Sequence, residues 1–151
     1  ARASAAVTHD HPEGIKDAQA WAPAVFLGRQ RQDKSKIKTH IQNHCAYDLD
    51  TPLDQIRPGY SFDVTCQGSV PQAIQAFLEA TDFEDAVRNA VSLGGDSDTQ
   101  ACMAGALAEA YYQGVPQDIA KQGLKRLDEF LRSIVYTFYA AVIPDLDLPR
   151  I

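Results

Sequence analysis

Residues 66–112 read CQGSVPQAIQAFLEATDFEDAVRNAVSLGGDSDTQACMAGALAEAYY, and their apolar side chains recur at intervals of three and four rather than two. Val70, Ile74, Phe77 and Leu78 share one face of a predicted helix opened by Ser69 as cap. Asp82 then caps a second helix carrying Phe83, Ala86, Val87, Ala90 and Val91, which Gly94-Gly95 ends. In the third, Ala101, Ala104, Gly105 and Ala108 form a stripe of small residues. Such a stripe lets a neighbouring helix approach the backbone closely and belongs inside a bundle.

Outward from this block the same spacing continues. Toward the amino terminus a helix is predicted from Pro12 to about Gly28, with Ile15, Ala18, Ala22, Val25 and Phe26 on its apolar side. Pro23 removes a backbone donor and crowds the preceding turn, so a kink or a division into two shorter helices is expected there. A helix follows from about Lys34 to His44, and a short one starts at Thr51-Pro52 and stops at Arg57-Pro58-Gly59. On the carboxyl side Pro116 opens one long predicted helix, in which Ile119, Leu127, Phe130, Leu131, Ile134, Val135 and Phe138 make an apolar band and Pro144 is the stop. The tail DLDLPRI is expected to be loose. No strand alternation and no fixed-period repeat interrupts this pattern, so the chain reads as a single all-α domain over 1–151.

Composition narrows the function. The chain has 151 residues, 45% of them hydrophobic, which is enough for a sizeable core. Fourteen basic against 20 acidic side chains give a net charge of -6, the wrong sign for a surface that neutralises nucleic-acid phosphates. Cys45, Cys66 and Cys102 are odd in number and form no CxxC pair, so neither a disulfide framework nor a structural zinc site is indicated. A reducing compartment is expected. No apolar run reaches the roughly 18–20 residues of a membrane span, and the first residues lack a signal-peptide core, so the expected location is the cytoplasm.

Chemistry concentrates in GGDSDT, 94–99. Asp96 and Asp98 stand two apart at a helix start, and within a regular helix such residues face about 200° apart. Shared chelation therefore requires Asp96 in the entry loop with Asp98 and Thr99 in the first turn, a bend that the glycines permit. Two readings stand. Carboxylates at a helix amino terminus cap unpaired amides and face the positive end of the dipole. Alternatively, the two aspartates and Thr99 select a hard divalent cation, with other donors completing its shell. An EF-hand is set aside, because its sixth and twelfth positions, Gly and Glu, are here Ala101 and Leu107.

THDHPEG, 8–14, offers His9 and His11, but an i, i+2 pair on a chain turning into a helix at Pro12 is a poor zinc chelate. Satisfied or exposed histidines are the simpler reading, with contact to an anion at the helix start as the functional one. Gly68-Ser69 likewise reads as a turn that caps a helix or cradles an anion.

Taken in order, VTHDHPEGIKDAQA (7–20), CQGSVPQAIQAFLEATDFEDAVRNAVSLGGDSDT (66–99) and MAGALAEAYYQGVP (103–116) resemble the ADP-ribosylglycohydrolase family, which includes the dinitrogenase-reductase-activating glycohydrolases and ADP-ribosylhydrolases. The resemblance implies an all-α helical bundle that removes ADP-ribose from a modified side chain through a binuclear Mg²⁺ or Mn²⁺ centre. It implies metal coordination by Asp96, Asp98 and Thr99, and substrate contacts from His9, Gly95 and Ser97, with His9 reaching the diphosphate. ADP-ribose or an ADP-ribosylated protein is the partner so implied, with no nucleic acid and no membrane. No residue of this chain is assigned as catalytic except through the metal.

The resemblance covers only the carboxyl-terminal half of a family domain. The family's amino-terminal half carries a Thr-Asp-Asp metal motif, and no Thr-Asp-Asp occurs in this chain. Asp17 stands where many relatives carry Gly, and Pro23 interrupts a usually smoother helix. A domain truncated on the amino-terminal side is expected to need a complementary segment for full activity, or else to be a non-catalytic remnant with a binding or structural role. Uncovered apolar faces are expected to drive self-association or partner binding.

Overall fold

The computed structural model of the chain describes residues 1–143, 148 and 149. Its elements are α1 (Arg2–Ala5), α2 (Pro12–Arg29), α3 (Lys34–Cys45), α4 (Leu53–Ile56), a 3₁₀ turn (Arg57–Gly59), α5 (Cys66–Glu79), α6 (Phe83–Ser92), α7 (Ser97–Tyr112), α8 (Gln117–Arg126) and α9 (Glu129–Val142). No strand occurs among the described residues, so the fold is all-α. No helix among them is long and apolar enough to cross a membrane. Residues 1–113 form one compact unit and residues 114–151 another.

In the first unit α5 is the central helix, packed by α2, α4, α6 and α7. Residues 69–71 and 73–77 are all buried, so it is enclosed almost all round. Val70, Ile74 and Phe77 are the buried apolar face the spacing predicted. Each such side chain contributes about 1.5–3 kcal/mol relative to exposure. Helix α7 lies against α2, α5 and α6, and its small residues explain how. A Cβ at Gly105 would stand 3.4 Å from Val87 Cγ2, and one at Gly28 of α2 would stand 3.5 Å from Leu107 Cδ1. Leu53, Ala76, Ala90, Leu93 and Ala104 form a core cluster joining α4 to α7, with Ile56 and Tyr60 packed against it.

Four expectations are corrected. Helix α5 starts at Cys66 with Thr65 as cap, its Oγ1 accepting from the Gly68 amide at 3.1 Å. Ser69 is therefore inside the helix and donates to the Asp63 carbonyl at 3.1 Å. Helix α2 runs unbroken through Pro23, and it buries Gly14, Asp17, Ala20, Ala24 and Gly28 instead of its bulky side. Ala22 and Phe26 are exposed, because α3, α5 and α7 pack on the side that carries the small residues. Val91 of α6 is half out in solvent, at 49% exposure.

The fourth concerns the second unit, where one long helix was expected and two form. Asp128 breaks the run: its Oδ1 accepts from the Leu131 amide at 2.8 Å and so starts α9. Arg132 of α9 ties off the end of α8, donating to the Leu124 carbonyl at 3.2 Å and the Leu127 carbonyl at 2.7 Å. Val135 and Tyr139 line a cavity of 130 Å³ with Ala120 and Leu124 of α8. The outer face of α9 leaves Phe130, Leu131, Ile134, Phe138 and Val142 exposed. The expected stop at Pro144 and, apart from Leu148 and Pro149, the tail DLDLPRI lie outside the described residues.

Candidate functional site

The GGDSDT segment turns from α6 into α7. Gly94 takes φ +79°, a left-handed conformation that side chains rarely adopt, and so carries the reversal. Asp96 is the N-cap residue of α7, yet its side chain makes no capping hydrogen bond. Ser97 and Asp98 open the helix, and the Ser97 hydroxyl donates back to the Gly95 carbonyl at 3.3 Å.

Asp98 is held below its ordinary value first by a side-chain hydrogen bond with Asp96, then by the amide of Thr99, which donates to Oδ1 at 3.0 Å. Asp98 and Thr99 are exposed and Asp96 is half-buried, so the oxygens are accessible from solvent. The donor set is all oxygen, which suits Mg²⁺ or Mn²⁺ and not a thiophilic ion. Asp96 takes no amide at the start of α7, whereas Asp98 bonds the amides of Thr99 and of its own residue.

Sequence reasoning missed what supports the turn. The Tyr60 ring packs on Gly95, its hydroxyl donates to the Gly68 carbonyl at 2.7 Å, and the Gln100 amide nitrogen donates to that hydroxyl. One tyrosine thus joins the first turn of α7 to the first turn of α5. Burial raises the Tyr60 phenol, and the charges of Asp63 and Asp96 add to the rise. Gln100 is fully buried, and its Oε1 accepts no hydrogen bond. The signal available in the sequence was Gly95, a second glycine that the Gly94 turn does not by itself require.

His9 is placed elsewhere. Its Nδ1 lies 2.8 Å from Thr8 Oγ1, and the 370 Å³ groove it lines with Gly14, Ala18 and Trp21 contains neither Asp96 nor Asp98. His11 caps α2, its Nδ1 accepting from the Glu13 amide at 3.3 Å, so that ring nitrogen serves the helix. Gly68 lies in the first turn of α5 under the Asp63 carboxylate, whose Oδ1 is 2.8 Å from where a Cβ would stand. Among the described residues no three His, Cys, Asp or Glu side chains gather as a metal-binding group.

A search of curated proteins and one of solved structures each return no match. The family model described as ADP-ribosylglycohydrolase matches residues 1–143 of this 151-residue chain. The all-α fold of the described residues agrees with that match. The chain belongs to the ADP-ribosylglycohydrolase family.

Proposed function

We propose that this chain supplies one side of a divalent-metal site for hydrolysis of the glycosidic bond between ADP-ribose and a modified side chain. The observation that supports it is the placement of Asp96 at the N-cap of α7 without a capping hydrogen bond, with Asp98 beside it in the first turn. In this reading Asp96 and Asp98 hold Mg²⁺ or Mn²⁺ through their carboxylates and Thr99 adds its hydroxyl. When bound, such an ion lowers the pKa of a coordinated water and neutralises charge developing at the breaking bond. Asp98, already favoured in its ionised form, needs no deprotonation at neutral pH to take part. Tyr60 fixes the turn against α5, so the two carboxyl groups keep their relative placement. Gly95 and Ser97, at the amino terminus of α7, present backbone amides to the substrate where the helix dipole favours an anion. His9 is assigned the diphosphate.

Two carboxylates and a hydroxyl do not fill an octahedral shell. The missing donors are therefore assigned to a complementary segment bearing Thr-Asp-Asp, to water and to the substrate. The exposed apolar face of α9 supports association with such a segment or with a second copy. Three free thiols fit a reducing, cytoplasmic setting.

The test mixes the chain with a complementary segment and Mn²⁺, and follows ADP-ribose release from ADP-ribosylated arginine and serine peptides. Release that disappears in Asp96→Asn and Asp98→Asn is expected. Absence of calorimetric Mn²⁺ binding in the complemented chain, together with absence of release, sinks the proposal. A second reading, a non-catalytic binding or structural protein, is favoured by the lack of a three-residue metal group among the described residues. Measurable hydrolysis by the isolated chain with added metal excludes it.

A further inference from the structure

Between the 3₁₀ turn and α5 the chain runs through residues 61–64 without a turn or a bend. Tyr60 before this segment takes φ -80° and ψ 138°, and Thr65 after it φ -76° and ψ 149°, so it enters and leaves in extended backbone. Both ends are held. The Tyr60 hydroxyl donates to the Gly68 carbonyl at 2.7 Å, and Asp63 Oδ1 accepts from the Thr65 amide at 2.7 Å. The Asp63 carbonyl accepts from the Ser69 hydroxyl at 3.1 Å.

These bonds decide which way the main chain faces. In an extended strand the N–H and C=O of one residue point to one side and those of the next residue to the other. Asp63 turns its carbonyl to Ser69 of α5, so Phe62 and Val64 turn theirs away from α5. Among the described residues, no hydrogen bond is made by the N–H or C=O of Ser61, Phe62 or Val64. Their apolar side chains are open as well, Phe62 at 70% exposure and Val64 at 69%. An exposed row of unpaired donors and acceptors is the kind of edge on which another extended chain pairs.

Chemistry and position select what adds there. A small ligand meets one or two such groups, whereas a peptide backbone repeats the same alternation of donor and acceptor. A lipid surface is disfavoured by Asp63, between the two apolar residues, and by the net charge of -6. Position points to the substrate. Tyr60 packs on Gly95, next to Asp96, and the two residues from Tyr60 to Phe62 span at most about 7 Å.

We propose that residues 61–64 are a β-edge to which the polypeptide carrying the ADP-ribosylated residue adds as a strand, a reading that rests on the hydrolase assignment of the acidic turn. Main-chain hydrogen bonds at Phe62 and Val64 hold peptides of differing sequence, and the two side chains contact alternate residues of the added strand. Because the segment is already extended and held at both ends, pairing orders only the peptide.

The experiment follows the backbone amides of the ¹⁵N-labelled full chain by NMR during addition of a short serine peptide, the same peptide ADP-ribosylated, or free ADP-ribose. Both peptides should shift the amides of Phe62 and Val64, and free ADP-ribose should not. A peptide N-methylated along its backbone should bind about tenfold more weakly, the loss of about one main-chain hydrogen bond. Val64→Pro lacks the amide and should weaken both peptides to the same extent. Phe62→Ser repeats the measurement if circular dichroism shows that the proline disturbs the helices. Asp96→Asn separates the two readings, since it should abolish ADP-ribose release by the complemented chain and leave the peptide shifts at Phe62 and Val64 in place. Four results overturn the proposal: no peptide shift at these amides, N-methylated peptide bound as tightly as its parent, shifts that grow with chain concentration in the absence of peptide, or displacement of the peptide by the complementary segment.

Discussion

The Tyr60 ring occupies the space that a side chain at Gly95 would need, with Cδ1 and Cζ each 3.2 Å from the Cβ position and Cε1 closer still. Gly95→Ala must therefore push the ring off the turn. Loss of the Tyr60 contacts to Gly68 and Gln100 follows, and Mn²⁺ affinity of the complemented chain is expected to fall. Tyr60→Phe keeps the ring and removes the hydroxyl, leaving the Gln100 donor and the Gly68 carbonyl without this partner. A stability loss of about 1–2 kcal/mol is expected by urea denaturation. An unchanged midpoint in both variants would mean that Tyr60 does not hold the turn.

Asp17 makes an opposite kind of prediction. It is 4% exposed on α2, and the neighbour that offers it a hydrogen bond is the weakly donating Cys66 thiol. Burial raises it above its ordinary value of 3.8, and the neighbouring Cys66 thiol and Lys16 charge offset only part of the rise. The folded state thus holds this proton more tightly than the unfolded chain. Stability from the group is complete below the unfolded value and is lost as pH rises through the folded one. At pH 7 Asp17→Ala should stabilise the chain by about 1 kcal/mol, within the range for relieving an unsatisfied buried group. Denaturation at several pH values checks this: the advantage should close toward pH 3.5, and a variant less stable at pH 7 refutes the account.

Lys34 begins α3 and reaches the far end of α5. Its Nζ donates to the Phe77 carbonyl at 2.8 Å and to the Ala80 carbonyl, with the Phe77 ring centroid 4.6 Å away and the Tyr111 and Tyr112 rings beyond. Burial pushes its pKa down to about 8, against the attraction of Asp85. A lysine depressed on folding adds stability that is present above about pH 10.5, its unfolded value, and lost as pH falls through about 8. The parent should gain stability relative to Lys34→Met between pH 8 and 10. Parallel stability curves for the two proteins over that range would refute the shift.

On α9 the exposed Phe130 and Phe138 flank Ile134. The double variant Phe130→Ser, Phe138→Ser should lower the mass average in sedimentation and weaken binding of a hydrophobic dye. A parent that already sediments as a monomer without binding dye removes the basis for an association face there.

Much of the helical content was legible because its signals are local. Pro12 at a first turn, Asp82 as a cap and Gly94 at a positive φ each act through their own backbone and its nearest amides. Asp128 is the same kind of cap, followed by Glu129 in a first turn, but the apolar residues around it hid the break. The residues of the acidic turn were also legible, as a dense run of Gly and Asp at a helix start. Their backbone placement was not, because i, i+2 spacing alone leaves open which of the two stands at the cap and which in the first turn.

By itself, then, the chain of residues determined that helices form, where several of them begin and end, and which family the protein belongs to. Tertiary structure alone decided which face of α2 turns inward, since Gly14, Ala20, Ala24 and Gly28 win over Phe26 only once the neighbouring helices pack, α7 lying against Gly28. It also decided that Tyr60, thirty-five residues from Gly95, stands against the acidic turn, and that Lys34 closes the end of α5. The physical reason is the same in each case. Caps and turns depend on neighbours along the backbone, whereas burial and long-range hydrogen bonds depend on which surfaces meet after the helices have packed.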